Sequence, residues 1–392
     1  MRPLSSTAKK HFRLLRHLSR LKGYSDPIYF YHNKVTLLPH GGDFFPALFQ
    51  AMAEATTTIC AEFYIVKADK TGQAFACALR EAAARGVEVS LIYDAIGCFD
   101  TPSSYFQQLQ AAGVRCLPFN KPAFSRLRWL DRRDHRKMVI IDGVTAFLGG
   151  LNIGDEYAGY GDSYLHWRDV GIRLDGPAAG ELQRLFRQTW LQEGGVSVPG
   201  QDLPPPLPAG DADLVIINSS PHRSRSLIRN TFLLAVAGAT HCIRIITPYF
   251  LPGPTVVRSL LRAVKRGVQV RMILPSISDV PMVHMLSRAY LKQLIAAGVE
   301  IYARQGTILH AKMMLIDSQW ATLGSANLDY RSFHRNFEIN IIVDHHAFGL
   351  ATEALFNEEL AMSTRLSLTD HLHTTRLQQS LEWLLTPLSR FL

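Results

Sequence analysis

The sequence lacks the marks of several protein classes. No apolar run approaches the roughly 20 residues that a membrane-spanning helix needs, and the N-terminus has no apolar core of a secretory signal. The five cysteines are odd in number and include no CxxC pair, which favours buried free thiols in a reducing compartment over a disulfide or zinc framework. Only 19% of residues are charged and 47% are hydrophobic, so the chain is not disordered.

Positive charge is what the sequence has in excess. The formal net charge is +9 over 392 residues, with a pI near 9.4. Such a balance favours an anionic partner, either nucleic acid or an acidic membrane surface, and charge alone does not separate the two. The length allows two or three domains.

One motif occurs twice in the chain. The first copy, DHRKMVIIDGVTAFLGGLN, spans Asp134–Asn152, and the second, LHAKMMLIDSQWATLGSAN, spans Leu309–Asn327. Four polar positions keep one offset (310 − 135 = 175), namely His135 and His310, Lys137 and Lys312, Asp142 and Asp317, and Asn152 and Asn327. A repeat of this length indicates a duplicated domain.

Each half alternates strand and helix patterns and then forms a hairpin of strands, which predicts two α/β domains with a mixed sheet in each. A Pro- and Gly-rich stretch separates them. The predicted order is a basic amphipathic segment, a first domain, a linker, a second domain and an amphipathic tail, at 1–29, 30–193, 194–211, 212–360 and 361–392.

Strand geometry orients the motif. Residues two apart share a face of a strand, so His135 and Lys137 point the same way. Asp142 falls at an odd step and begins a hairpin-turn pair, Asp142-Gly143. We therefore expect this carboxylate to hold the turn or to orient the site without touching a substrate.

The turn also predicts a register. A two-residue turn at 142–143 would place Gly150 opposite His135, and one at 317–318 would place Ser325 opposite His310. A small residue in each place would leave room for a phosphate. Asn152 and Asn327, just beyond, would donate hydrogen bonds to it.

The duplicated residues fit the chemistry of a phosphodiester, which needs a nucleophile, an acid for the leaving oxygen and cations for the other oxygens. Two histidines and two lysines supply all of these, so we expect no metal and no cofactor. Downstream, Asp169 and Glu338 are matching carboxylates. Each either hydrogen-bonds a histidine ring and sets its orientation or is an ordinary surface carboxylate.

The motif HxKxxxxD followed by GGxN or GSxN resembles the signature of the phospholipase D superfamily, and the resemblance covers about residues 30 to 345. It implies two tandem α/β/α sandwich domains related by a pseudo-twofold axis, with one shared active site. It also implies a covalent phosphohistidine. His135 would be the nucleophile, and His310 would be the general acid and later the base.

A finer resemblance is to bacterial cardiolipin synthases of the shorter, B type. It rests on LLPHGGDFFPALFQAMAEA, AEFYIVKADKTG, ITPYFLPGP and LPSISD. The implied reaction moves a phosphatidyl group from one phosphatidylglycerol to another and releases glycerol. The alternatives are a phospholipase D hydrolase, or a phosphodiesterase or nuclease of the same superfamily.

Basic segments with interleaved apolar residues bear on the partner. They are Thr7–Gly23 and Asn120–Lys137, with a third apolar face near the C-terminus. They favour an anionic phospholipid and a membrane surface over nucleic acid. Together with the resemblance to bacterial cardiolipin synthases, this implies a peripheral protein of the bacterial inner membrane. For the two terminal segments, helices packed on the domains remain open alternatives. Intact motifs argue against an inactive lipid-binding scaffold, and the oligomeric state stays open.

Overall fold

The structure, a computed structural model, describes residues 29–121, 131–159, 166–197, 199–200, 202–221 and 226–368. The predicted N-terminal amphipathic segment lies outside these residues except for Tyr29. Most of the basic loop before His135 and most of the predicted C-terminal tail also lie outside them. Among the residues described, no helix is both long and apolar enough to cross a bilayer.

The described chain forms two compact units. The first comprises residues 30–214 together with the short segment 336–339, and the second comprises residues 215–335 and 340–368. The segment 336–339 follows the second copy of the motif in sequence, yet it belongs to the first unit.

The first unit has a mixed seven-stranded sheet in the order β1-β7-β6-β5-β2-β3-β4. Strands β2, β3 and β4 run parallel, whereas β5, β6 and β7 are antiparallel to their neighbours. The strands are β1 (Tyr29–Leu38), β2 (Thr58–Phe63), β3 (Glu88–Asp94), β4 (Arg115–Phe119), β5 (Met138–Ile141), β6 (Thr145–Gly149) and β7 (Gly171–Asp175). The helices are α1 (Gly41–Glu54), α2 (Lys70–Ala84), α3 (Ser103–Ala111), α4 (Asp155–Ala158) and α5 (Pro177–Gln192).

The second unit repeats this plan in the order β15-β11-β10-β9-β12-β13-β14-β8. Its strands are β8 (Ala212–Ser219), β9 (Cys242–Ile246), β10 (Gln269–Pro275), β11 (Glu300–Arg304), β12 (Met313–Ile316), β13 (Trp320–Gly324), β14 (Glu338–Asp344) and β15 (Ser363–Arg365). Its helices are α6 (Leu227–Gly238), α7 (Gly253–Lys265), α8 (Pro281–Ala296), α9 (Tyr330–His334) and α10 (His346–Ala361). The predicted fold class, α/β with a mixed sheet in each of two tandem domains, is confirmed.

Burial explains why the central strands form. Every residue of β2 is buried, as is every residue of β5, which is typical of strands covered on both faces. Each unit has its own apolar core, built around Phe45, Leu48 and Phe75 in the first and around Phe232, Leu260 and Met272 in the second.

The stretch between the two domains has no helix or strand among its described residues, since α5 ends at Gln192 and β8 begins at Ala212. Beyond residue 360, Ser363–Arg365 forms the short strand β15 and pairs with β11.

Candidate active site

In each motif hairpin, the two strands are joined by three residues, one more than the two-residue turn that the sequence predicted. Val144 N donates to Ile141 O and closes a turn at 142–143, where both residues have positive φ. Ile141 nevertheless pairs with Thr145, so Val144 is an extra residue, and its carbonyl accepts from Gly176 N. In the second hairpin Ile316 pairs with Trp320 in the same way. The predicted pairing of His135 with Gly150, and of His310 with Ser325, is therefore wrong by one residue.

The motif aspartates bind backbone, each across the start of a neighbouring strand. The Asp142 carboxylate accepts from the N–H groups of three consecutive residues, 56 to 58, at 2.7 to 2.9 Å. Asp317 accepts from 240 to 242 at 2.8 to 3.0 Å. Burial raises the pKa of each carboxyl, but these donors outweigh it and hold both below the ordinary value. Both aspartates therefore act structurally in the hairpin.

His135 has a buried carboxylate partner. Its ring Nδ1 lies 3.0 Å from Glu338 Oε2, and the Glu338 side chain is fully buried. Asn336 Nδ2 donates to the other oxygen, Oε1, at 3.2 Å. A carboxylate at Nδ1 holds the proton there and orients the ring.

The segment that carries Glu338 is fixed by backbone and ring contacts. Phe337 N donates to Arg133 O at 2.8 Å, and His135 N donates to Phe337 O at 2.9 Å. The Phe337 ring meets Phe119 edge-on, with centroids 5.1 Å apart. The Glu338 carboxylate is thus held by a parallel bridge that includes the backbone of His135 itself.

Lys137 is buried beside His135. Its Nζ donates to the backbone carbonyl of His135 at 2.7 Å and lies 5.3 Å from the centroid of the Tyr64 ring. The Tyr64 ring also meets the imidazole of His135 edge-on at 5.1 Å. Sequence reasoning missed Tyr64, because its only signal is its place just after the buried strand β2.

The second motif pairs its own histidine and lysine. Lys312 Nζ lies 2.6 Å from His310 Nδ1 and also donates to the backbone carbonyl of His310. The Tyr249 ring meets His310 edge-on at 6.3 Å, and its hydroxyl donates to Asp279 at 2.6 Å. Both His310 and Lys312 are buried.

Gly150 makes room for a carboxylate instead of the predicted phosphate. A Cβ at this position would lie 2.1 Å from Asp169 Oδ1, which no side chain permits. Asp169 is buried, so it is no ordinary surface carboxylate. It accepts from Val170 N at 2.8 Å. Its predicted contact with a histidine stays a prediction.

The motif asparagines are buried, and one is committed to the fold. Asn152 accepts from Ile65 N at 3.1 Å and donates to the Tyr157 hydroxyl at 2.8 Å, so it braces the loop after β2. Asn327 donates its backbone N–H to Ser332 at 3.1 Å. Ser325 is fully buried. A phosphate contact of these residues stays a prediction.

A buried ionic network supports the first motif from behind. Arg136 points away from His135 and Lys137, and its guanidinium lies 3.0 Å from Asp134 and 2.7 Å from Glu62. Burial lowers the pKa of Arg136, but these carboxylates outweigh it and raise the pKa overall. Burial raises the pKa of Glu62 well above its usual range despite the arginine. The only signal of this network in the sequence was the position of Arg136 between His135 and Lys137.

Asp94 extends this network to the residues before His135. Its carboxylate lies 3.2 Å from Arg133 Nη1 and accepts from Asp134 N at 2.9 Å. It also accepts from the N–H groups of Ile96 and Gly97. Burial raises its pKa even so. The end of β3 therefore fixes the backbone that leads into His135.

Within the described ranges, no group of three or more His, Cys, Asp or Glu residues is arranged to hold a metal ion. Charged side chains lie beside each histidine, namely Lys137 and Glu338 beside His135 and Lys312 beside His310.

Tandem α/β units that each carry a histidine–lysine hairpin define a class, the phospholipase D superfamily. A family model described as "Cardiolipin synthase, PLD-like domain" matches residues 48–190 and 233–360, which include both motifs. The chain belongs to this cardiolipin synthase family. The predicted family, and with it the enzyme class of a phosphatidyltransferase, is confirmed.

Relatives with the same description align over most of the chain. Cardiolipin synthase A of Pseudomonas fluorescens is 35% identical over 353 residues, which cover 89% of this chain and 73% of that protein. The cardiolipin synthase of Geobacillus thermodenitrificans is 33% identical over 366 residues, covering 91% and 72%. The predicted short, B-type subgroup stays a prediction.

Solved structures agree on the fold. The phosphatidylserine synthase of Haemophilus influenzae superposes with a TM-score of 0.71 at 13% identity, covering 97% of this chain and 98% of that one. The polyphosphate kinase of Porphyromonas gingivalis has a TM-score of 0.58 at 13% identity, covering 92% of this chain and 53% of that one.

Proposed function

We propose that the protein is a cardiolipin synthase that transfers a phosphatidyl group from one phosphatidylglycerol to another and releases glycerol. Membership of the cardiolipin synthase family supports the substrate class. The single observation that carries the mechanism is the contact of His135 Nδ1 with the buried carboxylate of Glu338, at 3.0 Å.

This contact supports His135 as the nucleophile. When Nδ1–H donates to a carboxylate, the neutral imidazole carries its lone pair on Nε2. In the first step Nε2 attacks phosphorus, the bond from phosphorus to the glycerol oxygen breaks, and a phosphohistidine forms. Glu338 stabilises the positive charge that develops on the ring.

His310 is proposed as the proton carrier, and both motifs are proposed to act in one reaction. His310 gives a proton to the leaving glycerol oxygen and then takes the proton of the incoming hydroxyl of the second lipid. That hydroxyl oxygen attacks phosphorus, and the bond to His135 breaks. Lys137 and Lys312 neutralise the other phosphate oxygens. The phosphohistidine keeps the energy of the ester bond, so the transfer needs no ATP.

Exposed apolar side chains support a membrane surface as the partner. In the first unit, the loop after β3 exposes Phe99 at 83% and Ile96 at 41%. In the second unit, the loop after β10 exposes Ile277 at 59%. Exposed apolar side chains on a basic protein are suited to an anionic interface. We propose peripheral attachment to the bacterial inner membrane.

The proposal is tested with purified protein and labelled phosphatidylglycerol in mixed micelles. Cardiolipin and glycerol are the expected products. Phosphatidic acid alone would instead identify a hydrolase. Cleavage of single-stranded DNA without turnover of lipid would identify a nuclease.

The same assay tests whether the motifs are redundant. His135→Ala and His310→Ala should each reduce transfer by at least about 10³-fold, because neither motif alone holds both nucleophile and acid. About half of the activity left in either variant would show two independent sites. His346→Ala, at an exposed position of α10 outside both motifs, is the control.

A further inference from the structure

A pocket lies beside the second motif, at a place where the first repeat is filled by packed side chains. It lies in the second unit and has about 490 Å³ of empty space including its mouth. Lys312 lines it, and apolar walls come from residues such as Phe232 and Met314. We propose that it binds an acyl chain of the phosphatidyl substrate. This inference rests on the proposed function.

The internal repeat shows why the pocket is open. Hairpin positions correspond at the motif offset of 175, so Thr322 and Ala326 in the second unit match Phe147 and Leu151 in the first. Phe147 and Leu151 are fully packed in the core of the first unit, where Phe147 meets Phe44 edge-on at 5.8 Å. Smaller side chains at the matching positions leave the space that the pocket occupies.

A third position repeats this difference. Ile246 pairs with Met313 as Glu62 pairs with Met138, so the next residues, Thr247 and Phe63, correspond. Phe63 packs against Phe75 with ring centroids 5.6 Å apart. Thr247 instead lines the pocket. Three large side chains of one repeat are thus replaced by small ones around a single cavity of the other.

The chemistry of the lining selects a lipid chain. An ammonium group, that of Lys312, lies beside His310, and the walls beyond it are mostly apolar. A phosphatidyl group has the same order of parts, since its anionic phosphate is joined through glycerol to hydrocarbon. Water would gain few hydrogen bonds from such walls, whereas a chain would be removed from water on binding.

The test restores the packing of the first repeat. Thr322→Phe and Ala326→Leu place its side chains into the pocket, and Thr322→Ser keeps the pocket open as the matched control. With long-chain phosphatidylglycerol, each filling variant should raise KM at least about tenfold. With bis(p-nitrophenyl) phosphate, which has no acyl chain, kcat/KM should stay within about twofold. Equal losses on both substrates, or no change on the lipid, would overturn the proposal.

Binding gives a measurement that does not depend on turnover. In calorimetric titrations of wild-type protein with monomeric phosphatidic acids of increasing chain length, affinity should rise roughly fourfold per methylene and then level off. For the Ala326→Leu variant, the affinity should level off at a shorter chain length than for the wild type. Thermal unfolding of each variant shows whether it folds. If Thr322→Phe does not fold, Ala326→Leu alone carries the test.

The two proposals fail in different ways. If wild-type protein hydrolyses lipid without forming cardiolipin, the transfer reaction is wrong, yet the dependence on chain length remains a test of the pocket. If it forms cardiolipin but binds all chain lengths equally in the titration, the pocket proposal is wrong and the transfer reaction stands.

Discussion

The imidazole of His135 and the carboxylate of Glu338 lie 3.0 Å apart although 203 residues separate them in sequence. The Glu338 side chain is fully buried, and that of His135 is 12% exposed. A carboxylate kept from water interacts strongly with positive charge that develops on its partner. The pair therefore stabilises the ring in the state that the proposed nucleophilic attack creates.

Glu338→Gln tests this role. It keeps the size of the side chain but removes its charge, so we expect kcat to fall on the order of 10²-fold while KM changes little. Initial rates with labelled phosphatidylglycerol check it. Glu181→Gln, which alters an exposed ion pair with Arg184, is the control. A Glu338→Gln enzyme with wild-type kcat would show that the contact is only structural.

The roles of the two histidines can be separated by trapping the adduct. With a phosphatidyl ester of p-nitrophenol, whose leaving group needs no proton, His310→Ala should accumulate a phosphatidyl group on His135, because the group that activates the acceptor is missing. Intact-protein mass spectrometry after brief incubation detects the adduct, and His135→Ala should show none. An adduct on His310 in His135→Ala would reverse the assignment. Wild-type turnover without an adduct on either histidine in these variants would remove the covalent mechanism.

Chelation tests the source of positive charge. The proposed reaction places Lys137 and Lys312 at the phosphate oxygens, so excess EDTA should leave the rate of transfer within about twofold of the untreated enzyme. Loss of activity, followed by recovery on addition of one divalent metal, would contradict this electrostatic account.

Acid should destabilise the fold through the motif aspartates. Their folded-state pKa values lie below the ordinary 3.8, so the stabilisation is complete above that pH and is lost as pH falls through the folded values. At neutral pH, Asp142→Asn or Asp317→Asn should cost about 1–3 kcal/mol of unfolding free energy. Denaturant unfolding between neutral and acidic pH measures this, and the difference from wild type should shrink in acid. Asp202→Asn, an exposed site, should show no such dependence.

The exposed loop after β3 should contribute to membrane binding. Phe99→Ser removes the most exposed aromatic side chain of the described residues, and we expect about tenfold weaker binding to vesicles that contain phosphatidylglycerol. Co-sedimentation with such vesicles measures it. Val196→Ser alters a side chain of similar exposure near the end of α5 and should bind as wild type does. Equal binding by both variants would place the membrane contact elsewhere.

Periodicity and repetition predicted the parts that depend on neighbours in sequence. Alternation placed His135 and Lys137 on one side, and duplication identified their counterparts in the second half. The extra residue Val144 was not predictable, because it is held by Gly176, which belongs to another strand connection. Tyr64 and the ionic partners of Arg136 escaped for the same reason, since no repeat marks them and only tertiary packing brings them to the motif.

The location of Glu338 has a consequence for biosynthesis. A ribosome releases the first histidine motif long before it has polymerised residue 338, and domains of a growing chain begin to fold as they emerge. The nascent protein can therefore build the scaffold around His135 while the carboxylate that orients its ring does not yet exist. The ring of His135 would then be oriented for the proposed attack only after residue 338 has been added, so shorter nascent chains would lack an oriented nucleophile.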